Sequence, residues 1–328
     1  MGAYVLRRLL LAVPTFLAIT LLSFAALRFA PGDPVGSGGE LRSGTAGREE
    51  VAALRRELGL DAPLPVAYGR WVARVLSFDL GTSFRTGRPV GEALAARLPV
   101  TAGLGVAALA LVYLVGIPLG LAAARWRGGP ADRAIGTALF ALYAVPPFWA
   151  GTMALLLLGG GSYLDLIPVR GLASPGAEAL PLGARLLDLA HHAAAPVVLL
   201  AYGSLAAVSR HVRSAGIEAL GSGHVLAARA RGLAESTVLG RYALRAALLP
   251  VVSHAGLMVP FVVGGSVVVE RIFGLPGIGD LLYVALLHRD HAVVQGVVAA
   301  ASLLALAGVI LVDLLYAVVD PRVALERP

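Results

Sequence analysis

Residues able to do chemistry are few and scattered in this 328-residue chain. Two histidine groups suggest metal, His191-His192 and His288-Arg289-Asp290-His291. Adjacent histidines rarely turn onto one ion, and both groups fall in segments read as outside loops, so no metal ligand set is expected. Cysteine is absent, which excludes disulfides, thiol nucleophiles and cysteine metal sites. All 27 basic residues are arginine. A Walker A loop needs lysine on the nucleotide phosphates, so this chain cannot hold ATP by that motif. Neither a Gly-x-Ser-x-Gly elbow nor a His-Glu-x-x-His pair occurs. Two single ionisable groups remain. Asp313, near the end of the last apolar run, reads as a proton relay or, more simply, as a packing carboxylate paired with a loop arginine. His254 reads as a pathway residue or as a hydrogen-bonded buried histidine. None of this is a catalytic constellation, and a non-enzymatic chain is expected.

The elements that position these groups are apolar. Hydrophobic residues make up 58% of the chain and charged ones 14%, against about 25% charged in soluble domains. Mean hydropathy is +0.80. Uncharged runs occur at Leu9–Leu27, Leu98–Ala124, Ala134–Leu164, Ala246–Val269 and Ala292–Val312, and a span needs roughly 20 apolar residues. A shorter run from Ala193 to Ser209 carries Pro196 near its start, where a first helical turn accepts proline. These runs are apolar all round, which excludes a water-soluble bundle. The fold class is therefore an all-α polytopic membrane protein with six spans. Arg28-Phe-Ala-Pro offers no small-x-small cleavage site, so the first run reads as a retained helix. Pro118, Pro146-Pro147 and Pro260 should interrupt helices two, three and five. Helix five, with His254, Pro260, Gly264 and Gly265, is expected to line a translocation path.

Arginine placement sets the orientation, because short cytoplasmic loops collect basic residues. With the N terminus inside, the inside segments hold thirteen arginines against five acids, and the two short outside loops hold four against six. Both termini are expected in the cytoplasm. The basic balance is an orientation signal and a docking face, not a nucleic-acid footprint. Residues 1–30 form the first helix, 31–97 an external cap, 98–320 a five-helix core and 321–328 a tail. In the cap, "REEVAALRRELGL" reads as a helix ended by Pro63 and Pro65, and "YGRWVARVLSF" as a second. Its Tyr68, Trp71 and Val75 stripe suits the headgroup level or packing within the segment.

One stretch stands apart. Six arginines lie between Ser209 and Ala246, too many for a span at about +2.5 to +3.5 kcal/mol each near the bilayer centre. Glu218 to Arg231 reads as helix, weakened at its start by Gly221 and Gly223, with Gly232 as C-cap. A second helix begins near Glu235. Such a knob is either an amphipathic hairpin on anionic lipid or a dock for a cytoplasmic protein.

The residues resemble a known family, the ATP-binding-cassette importer permeases, whose loop has the form Glu-Ala-Ala, three residues, Gly, then hydrophobic-x-Leu-Pro. Ala227-Ala228 and Gly232 keep that register and Leu244 meets the later leucine, while Leu226 replaces the Glu and Arg245 the Pro. "ARARGL" and "YALRAALLP" are similar to the dipeptide/oligopeptide/nickel branch. So are "FAPGDP", "FDLGTSFRTGRPV", "VVERIFGLPGIGDLLYVALLHRD" and "DLLYAVVDPRV", in order along the whole chain. The resemblance implies a type I (MetI-like) importer core in a bacterial inner membrane. Its loop, 210–250, would be a coupling element for an ATPase through Glu218, Ala227, Ala228, Arg229, Ala230, Arg231, Gly232, Leu233 and Leu244, with Ala227 and Ala228 giving a small close-packing face. It further implies a second homologous permease, two ATPase subunits that bind ATP and Mg, an extracytoplasmic binding protein, and contact with membrane lipid. No cofactor is implied in this chain. Peptide is the expected cargo; nickel or another small solute stays open. A proton-coupled secondary transporter would need more intramembrane carboxylates and an inverted repeat. A non-transporting scaffold would not need the glycine-broken basic loop.

Overall fold

The computed structural model describes residues 2–29, 62–160, 163–245 and 267–319. Among these residues the regular elements are helices, joined by turns and irregular loops that carry two isolated bridges, Thr82 with Pro89 and Gly159 with Ile167. Helix α1 (Gly2–Phe29) is the first span. Helix α2 (Leu64–Leu76) starts at Pro63, its N-cap, with Pro65 in its first turn. The prolines thus open this helix, where their missing N–H groups cost nothing; the run before them lies outside the described residues. Trp71 and Tyr68 pack on Phe24 of α1 with ring centroids 6.2 and 5.7 Å away. The Tyr68 hydroxyl donates to the Leu17 carbonyl at 2.8 Å. The stripe is therefore packing against span one.

Helix α3 (Val90–Arg125) runs through Pro99 and Pro118 without interruption. The expectation of a break at Pro118 is corrected: neighbouring helices in a membrane protein support the freed carbonyls. Span three is broken. Helices α4 (Pro130–Ala144) and α5 (Pro147–Leu158) meet at 92°. Two consecutive prolines remove two donors, and the residue ahead of a proline avoids helical backbone. Val145 is accordingly extended, with φ −83° and ψ 123°, and its carbonyl accepts the Tyr202 hydroxyl.

Helix α6 (Leu182–Leu220) is far longer than the expected Ala193–Ser209 run, and Pro196 sits inside it. His191 and His192 therefore lie on a helix, not in a loop. They donate to the Leu166 and Asp188 carbonyls, each at 2.8 Å, and their rings stand 78° apart. Each ring is held by its own local partner. Among the described residues no group of His, Cys, Asp and Glu is arranged to hold a metal.

The most extensive helix pair is α3 with α6. Hydrocarbon gives helices no hydrophobic drive to associate, so close packing across small residues must supply it. A Cβ at Gly120 would lie 2.6 Å from the Ser209 carbonyl and 2.7 Å from Val212 Cβ. Val208 and Val212 are fully buried there. At the arginine-rich end, Asp132 accepts two bonds from Arg213, at 2.6 and 2.7 Å, and one from the Gly128 N–H at 2.8 Å. This bidentate pair ties the start of α4 to α6.

Helices α7 (Gly223–Ala230) and α8 (Glu235–Thr237) follow α6, and at the opposite end lie α9 (Val267–Ile272) and α10 (Ile278–Leu287). Glu270 is buried. Its carboxylate accepts the Thr101 hydroxyl and the Asp280 N–H, each at 2.9 Å. Thr101 in turn accepts the Ile278 N–H at 2.8 Å. One acid thus caps α10, which has no N-cap side chain of its own, and ties it to α3. A Cβ at Gly277 would overlap the carboxylate. Asp290 repeats the device for α11 (His291–Val319): it accepts the Val293 N–H at 3.3 Å and the Ser83 hydroxyl.

Two outcomes follow. Gly120→Ala lowers stability by about 1–3 kcal/mol through overpacking, whereas Gly103→Ala, whose Cβ meets nothing within 4 Å, is neutral or stabilising; thermal unfolding in detergent separates them. Glu270→Gln leaves a buried donor facing donors and costs about 1–3 kcal/mol, which the same measurement reads as a lowered midpoint.

Candidate functional site

The basic stretch folds as a compact hairpin under α6. Helix α6 ends at Leu220; Gly221 and Ser222 turn the chain into α7. The expected single helix from Glu218 is thus two, broken at the glycines that weaken it. Ser222 takes the extended N-cap conformation, but its hydroxyl turns back to the Ala219 carbonyl.

Gly232 has φ +75°, a region that disfavours other residues. The Gly232 N–H donates to the Arg229 carbonyl at 2.9 Å and the Leu233 N–H to the Ala228 carbonyl at 3.3 Å. Those two bonds form a Schellman cap. Helix α8 then begins with Glu235 and passes into a π-helical turn, Val238–Ala243. Such wide turns collect at functional positions.

The hairpin has its own small core. Val225, Ala228 and Val238 are fully buried, flanked by Leu220 and Tyr242. Ala228 therefore faces inward, and of the Ala227-Ala228 pair only Ala227 is exposed. Successive helical residues point about 100° apart, so adjacent alanines cannot serve one flat contact. The outward surface is formed by Leu226, 54% exposed, with Ala227, Ala230 and Leu233. Around it stand Arg229 and Arg231, while Leu244, half-buried, follows the Val238–Ala243 turn. Glu218 is exposed on the last turn of α6 and makes no ion pair among the described residues.

Arg229 donates to both Glu235 oxygens, at 2.7 and 3.3 Å, clamping the two arms of the hairpin. The guanidinium hydrogen bond holds the Glu235 carboxyl below its ordinary range. The pair's contribution is therefore fully present at neutral pH and is lost as pH falls through that lowered value. His254, Pro260, Gly264 and Gly265 lie outside the described residues, as does the side chain of Asp313.

Glu270, Thr101 and Asp290 were not among the expected site residues, although they organise the end of the molecule opposite the hairpin. One signal was available: an acid directly after an apolar run, followed by Gly277 and Gly279 spaced to admit a carboxylate.

Residues 116–325 match the model of the binding-protein-dependent transport system inner membrane component, and residues 1–105 match its N-terminal companion. The dipeptide transport system permease protein DppB of Escherichia coli (strain K12) is 39% identical, covering 98% of each chain. The oligopeptide transport system permease protein AppB of Bacillus subtilis (strain 168) is 35% identical over 98% of this chain and 99% of its own. A putative peptide transport system permease protein of Brucella abortus (strain 2308) is 37% identical with the same coverage. With its apolar helices and near-complete alignment to these permeases, the chain belongs to the binding-protein-dependent transport system inner membrane component family.

Proposed function

We infer that this chain is one membrane subunit of a peptide importer driven by a separate ATPase. It pairs with a second homologous permease and receives peptide from an extracytoplasmic binding protein. ATP and Mg are bound by two partner subunits and not by this chain. Both termini face the cytoplasm, in keeping with the arginine bias. The observation that supports this reading is the hairpin itself: a capped, clamped helix pair with an apolar outward tip of Leu226, Ala227, Ala230 and Leu233 ringed by arginine. A hairpin lying on lipid would not need an internal core and a clamp. A part that transmits displacement does.

In this mechanism the ATPase subunits draw together on binding nucleotide and carry the seated tips with them. Each tip is continuous with α6 through only two residues, Gly221 and Ser222. Because α6 packs along α3, the pull moves that helix pair as a unit and reorients the spans around a central path. ATP and cargo must favour different states for transport to be driven.

Leu226→Asp places a charge in the seated tip; it should reduce ATPase copurification and transport on the order of tenfold, with the unfolding midpoint unchanged. Ala228→Leu acts differently, overpacking the hairpin core and lowering the midpoint. Unaltered copurification and peptide uptake in Leu226→Asp vesicles would remove the coupling role.

A further inference from the structure

We propose that the groove between α4 and α6, at their arginine-rich end, is a binding site for a single anionic phospholipid. It encloses about 370 Å³ and is lined by Arg133, Arg210 and Arg213 at one end and by Gly136, Leu139 and Ala206 at the other. The polar end holds three guanidinium groups and one carboxylate, Asp132. Arg213 occupies both oxygens of that carboxylate, and the Gly128 N–H takes a further bond. Arg133 and Arg210 are exposed and pair with no carboxylate among the described residues. Two uncompensated positive charges therefore share one groove mouth, an arrangement that suits a phosphate diester.

The rest of the groove is a different environment. Leu139 and Ala206 form an apolar wall, and a Cβ at Gly136 would meet nothing within 4 Å. From Arg133 to Leu139 the helix rises about 9 Å, the offset between a headgroup phosphate and the upper part of its acyl chain. Trp126, half-exposed where α3 ends, has the Arg125 guanidinium 5.4 Å from its ring centre. An exposed indole beside arginine marks the membrane–water boundary. A soluble acidic protein could meet the arginines but would leave the apolar half empty. A zwitterionic lipid would bring the same phosphate but also a cation of its own into a groove mouth that already holds an excess of two positive charges. Only an amphipathic anion satisfies both halves. The site needs the arginines at a membrane boundary, whichever side that is, and so stands apart from the proposed orientation and from the coupling role.

The test is native mass spectrometry of the full chain in mild detergent. Phosphatidylglycerol and phosphatidylcholine with identical acyl chains are titrated separately, and soluble glycerol phosphate is then added as competitor. One phosphatidylglycerol should be retained per chain with at least roughly tenfold preference over phosphatidylcholine, and glycerol phosphate should fail to displace it at matched concentration. The double variant R133Q/R210Q, which keeps the Asp132–Arg213 pair, should bring the two lipids within about twofold of each other. Gly136→Leu fills the groove without touching charge; it should weaken retention of both lipids severalfold and leave the fold intact, since leucine is a good helix former. Equal retention of the two lipids, a preference unmoved in R133Q/R210Q, or unchanged retention in Gly136→Leu would each overturn the site. Displacement by glycerol phosphate would overturn it too, by reducing the groove to a simple anion contact.

Discussion

Hydrocarbon cannot hydrogen-bond to a peptide group, and this one constraint orders most of the structure. Each backbone donor and acceptor at membrane depth needs a partner inside the protein. The long helices α1, α3, α6 and α11 meet most of the demand within their own ladders, except at the carbonyls that Pro14, Pro99, Pro118 and Pro196 free. At three interruptions among the described residues a side chain supplies a partner. Tyr202 takes the Val145 carbonyl at the break in span three. Glu270 and Thr101 receive the first N–H groups of α10. Asp290 does the same for α11. These partners come from other helices or from preceding turns, so satisfying the backbone also fixes how the helices sit together.

The Glu270 arrangement shows why a buried acid is tolerated there. A carboxylate has only acceptors, and it meets a hydroxyl and the open N-terminal turn of a helix, where the backbone dipole favours negative charge. Gly277 and Gly279 contribute by absence, since a side chain at the first would occupy the carboxylate's own volume. Loss of the acid and gain of a methyl group at Gly277 are thus the same lesion seen from two sides. The opposite end uses the complementary chemistry, with Arg213 and Asp132 bridging α6 to the start of α4 through paired bonds.

Much of this was legible in the residues, and the failures have physical causes. Apolar runs located the four long spans and the bent pair found among the described residues, the expected Ala246–Val269 run lying almost wholly outside them, because composition decides whether a helix can enter lipid. The paired prolines marked the break in span three, since two adjacent missing donors cannot be rescued easily. Gly232 was readable as a helix end because only a positive φ closes that turn. Pro118 and Pro196 misled in the same direction. A single proline is absorbed when a neighbouring helix is packed alongside, and that support is tertiary. Pro63 also opens a helix, so the second cap helix begins at Leu64 rather than at Tyr68. The histidine pair was assigned to a loop because Arg185 and Asp188 interrupt the apolar run there, yet α6 extends beyond the apolar stretch. Glu270 escaped notice because Thr101, which completes its site, is remote in sequence and on a different helix.

The alanine pair in the hairpin repays closer argument. Ala227 and Ala228 are both small, but the helix turns them to opposite duties. At Ala228 any larger group would separate α7 from Val238 and open the hairpin, because the core there is already closed. Ala227 is exposed among the described residues. An exposed methyl group on the hairpin leaves room for a contact from outside to approach closely. In the proposed role, that outside contact is the ATPase. The inner alanine makes the hairpin stiff and the outer one lets it seat closely. Stiffness without a close seat would lose the displacement at the joint, and a close seat on a loose hairpin would lose it within the chain. The Arg229–Glu235 clamp belongs with the first requirement, since it joins the two arms across the glycine turn and resists their opening under load.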